Sequence, residues 1–235
     1  MTEFITKIRQ TFIERADEKT RKQSEYFFKE QVIVYGVKSA TIQKISKEIF
    51  AEIKGKPKAE IFAVCEKLWQ SGYMEESFIA SDWSNRLQKQ FEPADFETFE
   101  RWIKLYVNNW ASCDTLCNHT VGDFVMMYPE FILKLKRFAH SENRWVKRAA
   151  AVSLIIPARK GLFLNDIFEI ADTLLMDGDD LVQKGYGWML KAASQAHQQF
   201  VFKYVMSKKA VMPRTALRYA IEKMPDELKK QAMLK

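Results

Sequence analysis

Asn108-Asn109-Trp110-Ala111-Ser112-Cys113-Asp114 places an indole four residues before a lone carboxylate, at what reads as the start of a helix. Thirty-five residues after Trp110, a second tryptophan stands in Asn143-Arg144-Trp145-Val146-Lys147-Arg148-Ala149-Ala150, and Glu75 lies 35 residues before Trp110. Val146 is followed after 36 residues by Val182 of Val182-Gln183-Lys184-Gly185-Tyr186-Gly187-Trp188. Two helices and two turns fill such a pitch, so the spacing predicts stacked helical pairs that share a continuous core. The expected fold class is all-α, a HEAT-like helical-repeat solenoid (α-α superhelix) with a concave basic face. Equivalent positions of successive repeats would line that face, bringing Trp110, Asp114, Arg148, Lys184 and Trp188 towards one another.

The flanking sequence agrees with helices throughout. Phe4, Ile5, Ile8 and Phe12 recur at helical spacing over about residues 3–15. A second helix is expected over Ser24 to Ile33, stopped by Gly36, and a third over Ser39 to Ile53. Gly55-Lys56-Pro57 breaks the pattern, and the stripe Ile61, Val64, Leu68 and Trp69 resumes it. Further helices are expected over Met74 to Gln88, from Pro93 through Tyr106, from Trp110 to about Met127, and from Glu130 to His140. Asn143 to Leu154 follows, then a turn at Pro157-Ala158-Arg159-Lys160-Gly161. Helices near 162–175, 180–194, 197–207 and 213–223, with a short one after Pro225, complete the series. No gap is long, so residues 1–235 are expected to form one domain.

With 8 Gly and 6 Pro among 235 residues, and 47% of them apolar, the chain has both the propensity for helix and the material for a core. Its net charge of +7 and pI near 9.2 favour an anionic partner such as a nucleic acid. Cys65, Cys113 and Cys117 make no disulfide framework, and the N-terminus has no cleavable apolar segment. A cytoplasmic protein without a membrane span is expected. No phosphate loop, dinucleotide fingerprint, zincin motif or nucleophile elbow is present. Cys113, Cys117 and His119 lack a second ligand pair at finger or ribbon spacing, so neither metal nor cofactor is expected.

The site residues each have an ordinary reading beside a functional one. Asp114 suits stabilisation of developing positive charge, or simply a helix cap. Trp110 and Trp188 suit an aromatic pocket for a cation, whereas Trp145 reads as core. Arg148 is expected to project its planar donors away from its small neighbours Ala149 to Ala151, towards a phosphate. Lys147, Lys184, Lys191, Arg214 and Arg218 would extend an electrostatic track along a backbone, or remain solvated helix charges. Asp123 lies nine positions from Asp114, too far for a paired-carboxylate mechanism on one helix.

Trp110-x-x-x-Asp114, Gly122-Asp123-Phe124, Trp145-Val146-Lys147-Arg148-Ala149-Ala150 and Gln183-Lys184-Gly185-Tyr186-Gly187-Trp188, in this order, resemble the AlkD-type DNA alkylation repair family. That family comprises bacterial DNA glycosylases built from HEAT-like repeats. The resemblance extends to Val32-Ile33-Val34-Tyr35-Gly36-Val37 and covers nearly the whole chain. It implies a monomer that acts in base excision repair, releasing cationic N3- and N7-alkylpurines from double-stranded DNA. Asp114, Trp110 and Trp188 would then be catalytic and Arg148 would engage DNA near the lesion, while Lys147, Lys184, Phe27, Arg214 and Arg218 are the further DNA-binding candidates. The chain departs from the family at Phe27, where excising members carry a tyrosine. Some relatives bind unusual DNA without cutting it, so a non-excising binder of damaged or branched DNA is the first alternative. A peptide-holding HEAT scaffold is the second.

Overall fold

The computed structural model describes residues 2–234. Regular structure among them is helical, with one isolated parallel bridge between Ile33 and Tyr73 and no strand. The backbone forms two compact units, Met1–Leu116 and Cys117–Lys235.

The first unit contains α1 (Thr2–Arg15), α2 (Glu18–Phe27), α3 (Ser39–Ile53), α4 (Lys58–Gln70), α5 (Met74–Arg86), α6 (Asp95–Leu105) and α7 (Trp110–Thr115). The apolar stripes read from the sequence are the ones buried: Ile8 and Phe12 of α1, Ile42, Ile45 and Ile49 of α3, and Phe96, Phe99, Trp102 and Ile103 of α6. Burying each such side chain contributes about 1.5–3 kcal/mol, so these stripes dominate the unit's stability.

The second helix differs from the expectation. It starts earlier, because the Asp17 carboxylate accepts the Thr20 amide at 2.8 Å and the Thr20 hydroxyl at 2.6 Å, a strong N-cap. It ends earlier too, at Phe27. Val32, Ile33 and Val34 are β-branched, and the segment they occupy runs extended beside the start of α5, where the Met74 amide donates to the Ile33 carbonyl at 2.9 Å. Gly36, at φ +91°, returns this segment to α2. A side chain there would meet the Asp17 carbonyl at 2.6 Å, so both the angle and the close approach demand glycine.

The second unit contains α8 (Gly122–Met127), α9 (Ile132–Phe138), α10 (Arg144–Val152), α11 (Ile155–Arg159), α12 (Leu164–Leu174), α13 (Asp180–Ala196), α14 (Gln198–Lys208), α15 (Arg214–Ile221) and α16 (Asp226–Met233). Helix α13 is its axis and packs on α10, α11, α12, α14 and α15. Gly187 lets α15 approach: an added Cβ would stand 2.7 Å from Tyr219 Cβ and 2.9 Å from the Ala216 carbonyl. Where the sequence suggested a turn at 157–161, a short helix forms instead. Pro157 occupies the first turn of α11, where no intrahelical amide is needed, and Gly161 at φ +79° follows the helix.

Leu116–Val121 forms a π-helical turn, where an uninterrupted α-helix from Trp110 to about Met127 was expected. Side chains repeatedly meet partners about 35 residues away, one of them a backbone carbonyl (Gly161). Ser77 meets Ser112 (separation 35), Glu66 meets Arg101 (35) and Lys58 meets Asp95 (37), while in the second unit Arg144 meets Asp179 (35) and His197 meets Gly161 (36). The three cysteines are buried thiols, and desolvation pushes the Cys65 thiol well above the usual range. No helix among the described residues is long and apolar enough to cross a membrane.

Candidate active site

Helix α7 carries the paired indole and carboxylate, and its cap is Asn109. In extended backbone, Asn109 accepts the Ser112 amide on Oδ1 at 2.9 Å and donates from Nδ2 to Ser112 Oγ at 3.0 Å. The capping role considered for Asp114 therefore falls to Asn109. Asp114 sits in the next turn, four residues after Trp110 and on the same side of the helix. Both side chains are half-buried. The Ser112 hydroxyl also meets the buried Ser77 hydroxyl at 2.7 Å, which ties α7 to α5.

Trp110 belongs to an aromatic cluster. The Phe28 ring stacks on the indole with centroids 5.2 Å apart and planes at 24°. Phe27 meets the indole edge-on at 5.9 Å and 67°, and meets Phe28 at 5.5 Å and 88°. Phe27 is 69% exposed. Tyr26 is 93% exposed and lines a shallow recess on α2 with Glu18, Lys19, Lys22 and Gln23. Sequence reasoning singled out Phe27 and missed Phe28. The available signal was the helix end itself, since Phe28 is the C-cap residue at which the backbone leaves α2.

Two buried acids of α5 hold the extended segment after Phe28. Glu75 Oε1 accepts the Gly36 amide at 2.9 Å and the Val37 amide at 3.2 Å. Glu76 Oε1 accepts the Tyr35 hydroxyl at 2.7 Å, and its two oxygens take a forked pair of bonds from Arg9 at 3.0 and 3.1 Å. Burial, then the Glu76 carboxylate, raises the Tyr35 phenol far above its ordinary pKa. The sequence reading used Glu75 only as a marker of pitch, because glutamates in an amphipathic stretch read as solvated.

In the second unit, Arg148 departs from expectation. Its side chain does not project: the residue is 5% exposed, and a guanidinium N–H donates to the Leu181 carbonyl. Gly185 lies beside it, at ordinary contact distance: an added Cβ would stand 3.4 Å from Arg148 Cγ. Arg148 thus ties α10 to α13, and a surface contact with phosphate is not what its burial provides. Of the two glycines before Trp188 on α13, Gly187 admits α15 closely, whereas Gly185 leaves only ordinary contact with Arg148.

The remaining residues divide by partner. Lys147 is ion-paired with Asp177, and Lys184 Nζ lies 3.1 Å from Asp180 one turn earlier. Lys191 pairs with Glu222 at 2.9 Å and lies over the Tyr219 ring. Arg214 and Arg218 are exposed one turn apart on α15. Trp188 is half-buried on α13, while Trp145 is core as expected, 8% exposed with the Arg144 guanidinium over its ring.

A search of curated proteins finds no match to the chain. A solved structure described as a predicted DNA alkylation repair enzyme from Enterococcus faecalis is similar in fold, with a TM-score of 0.80 at 19% identity over 90% of this chain and 98% of that one. The family model for DNA alkylation repair enzymes matches residues 8–224, almost the entire sequence. The chain therefore belongs to the DNA alkylation repair enzyme family.

Proposed function

We propose that this DNA alkylation repair family member is a cytoplasmic, monomeric DNA glycosylase. It hydrolyses the N-glycosidic bond of cationic N3- and N7-alkylated purines in duplex DNA. The observation that carries the reading is a half-buried carboxylate, Asp114, one helical turn from an indole held in an aromatic stack. Alkylation already gives the base a positive charge, so it leaves as a neutral molecule without prior protonation. As the bond breaks, its electron pair departs with the base and the sugar becomes oxocarbenium-like. An ionised Asp114 stabilises that charge and orients the water that adds to the anomeric carbon, whose surplus proton passes to the carboxylate and solvent. Trp110, and in the same reading Trp188, supplies a π face to the cationic sugar. Because Arg148 is turned inward, we assign backbone attraction to the exposed Arg214 and Arg218 of the basic face, with Lys147 and Lys184 exchanging carboxylate for phosphate partners. HEAT-like repetition is supported by the side-chain pairs that recur at about 35 residues.

Chromatographic detection of free 7-methylguanine and 3-methyladenine after incubation with methylated duplex tests the proposal. Release above the spontaneous rate is expected, and none would leave a DNA-binding role without excision. That second reading is favoured by Phe27, exposed beside Trp110 without a hydroxyl to offer.

A further inference from the structure

Phe28 owes its place to the backbone. It caps the C-terminus of α2, donating its amide to the Ser24 carbonyl at 3.3 Å, and its own φ of −86° and ψ of 138° take the chain out of the helix. The ring then packs against a small apolar cluster of Val32, Val34 and Met74, to which Phe78 and Ala111 also contribute. This cluster is anchored independently of the indole, through Glu75 on the amides of Gly36 and Val37 and through the amide of Met74 on Ile33. Phe28 is therefore fixed from behind, and its open face lies nearly parallel to Trp110 at stacking distance. Phe27, in contrast, touches the same indole edge-on and is mostly exposed.

We propose that Phe28 is a positioning residue for Trp110: it sets the plane of the indole and shields one of its faces, leaving the other for the substrate. This rests on the reading of Trp110 as the aromatic partner of the reacting sugar. Stacking of this kind contributes about 0.5–1.5 kcal/mol beyond burial, sufficient to bias an otherwise mobile half-buried side chain. A pure packing role would change stability alone, whereas positioning changes the reaction only while the indole is present.

The test uses the full chain and its Phe28→Leu and Phe28→Tyr variants, each alone and combined with Trp110→Ala. Single-turnover release from methylated duplex is expected to fall about tenfold in Phe28→Leu with little change in duplex affinity, to recover within about twofold in Phe28→Tyr, and to fall no further when Trp110 is already alanine. An equal loss with and without Trp110, no loss, or no rescue by tyrosine would overturn the proposal. A second readout does not need excision. The fluorescence belonging to Trp110, taken as the difference from Trp110→Phe, should become more accessible to acrylamide in Phe28→Leu and not in Phe28→Tyr. If the unaltered protein releases no base yet this shift appears, the glycosylase reading fails and the bracing of the indole stands; without the shift, the bracing itself is refuted.

Discussion

The hydroxyls of Ser77 and Ser112 lie 2.7 Å apart inside the first unit, joining α5 to the helix that bears Trp110 and Asp114. Ser112 also serves the cap, since its amide donates to Asn109. Position and stability of α7 thus depend on the same few buried polar atoms, which cost most when only one partner is removed.

Replacing Asn109 with Ala removes both the cap and the Nδ2 bond to Ser112. A loss of about 1–2 kcal/mol in unfolding free energy is expected, with slower base release in addition, because α7 presents the candidate carboxylate. Chemical denaturation checks the first effect and a single-turnover assay the second.

Gly187 and Gly185 are two residues apart on α13 and should respond differently to alanine. At Gly187 the new methyl meets Tyr219 Cβ and the Ala216 backbone below 3 Å, and overpacking of this kind costs about 1–3 kcal/mol. At Gly185 the nearest atoms are 3.4 Å or more away, within ordinary contact of the flexible Arg148 side chain. There the helix-propensity gain of about 1 kcal/mol offsets the crowding, so Gly185→Ala should unfold close to the parent while Gly187→Ala unfolds earlier.

Glu66 makes stability depend on acid. Burial alone would raise its pKa, but hydrogen bonds from Arg101, Tyr106 and Trp102 outweigh that and hold it below the ordinary carboxylate value. The Tyr106 hydroxyl is 2.7 Å away and the Arg101 guanidinium 2.9 Å. Since the folded pKa lies below the unfolded one, the stabilisation is complete above the unfolded value and fades as pH falls through the folded one. Unfolding curves of the parent and of Glu66→Gln should differ by about 1–3 kcal/mol at neutral pH, and the gap should narrow as pH falls below the ordinary carboxylate range. A constant gap across that range would contradict the assignment.

Arg214 and Arg218 test the electrostatic part of the proposal. If each meets a phosphate, replacing either with Gln should reduce the slope of log affinity against log salt by about 0.9, whatever the DNA sequence. Fluorescence anisotropy with a labelled duplex from low to moderate salt measures it, and unchanged slopes would remove these two residues from the interface.

The sequence carried the helices further than it carried the side chains. Periodic stripes such as Phe96, Phe99, Trp102 and Ile103 define their buried faces because burial of apolar area is insensitive to detail. The end of α2 was harder, since Ser24 to Ile33 is apolar enough for a helix and only the β-branched run and the Asp17 cap tip the balance. The placement of Trp110 and Asp114 one turn apart on a helix was legible from their four-residue spacing. The inward turn of Arg148 was not, because its partner is the Leu181 carbonyl, 33 residues later, which no local pattern reveals. Glu75, Glu76 and Phe28 escaped for the same reason: their partners are backbone amides, the Tyr35 hydroxyl with the Arg9 guanidinium, and the Trp110 ring, all distant in the chain.

The most direct test of the central claim compares the parent with Asp114→Asn on methylated duplex under single-turnover conditions, with folding and duplex affinity measured alongside. Asparagine keeps the shape and discards the charge, so release of 7-methylguanine should fall by about 100-fold or more while thermal stability and binding stay near parental values. Release at the parental rate from a folded, DNA-bound variant would contradict electrostatic stabilisation by Asp114.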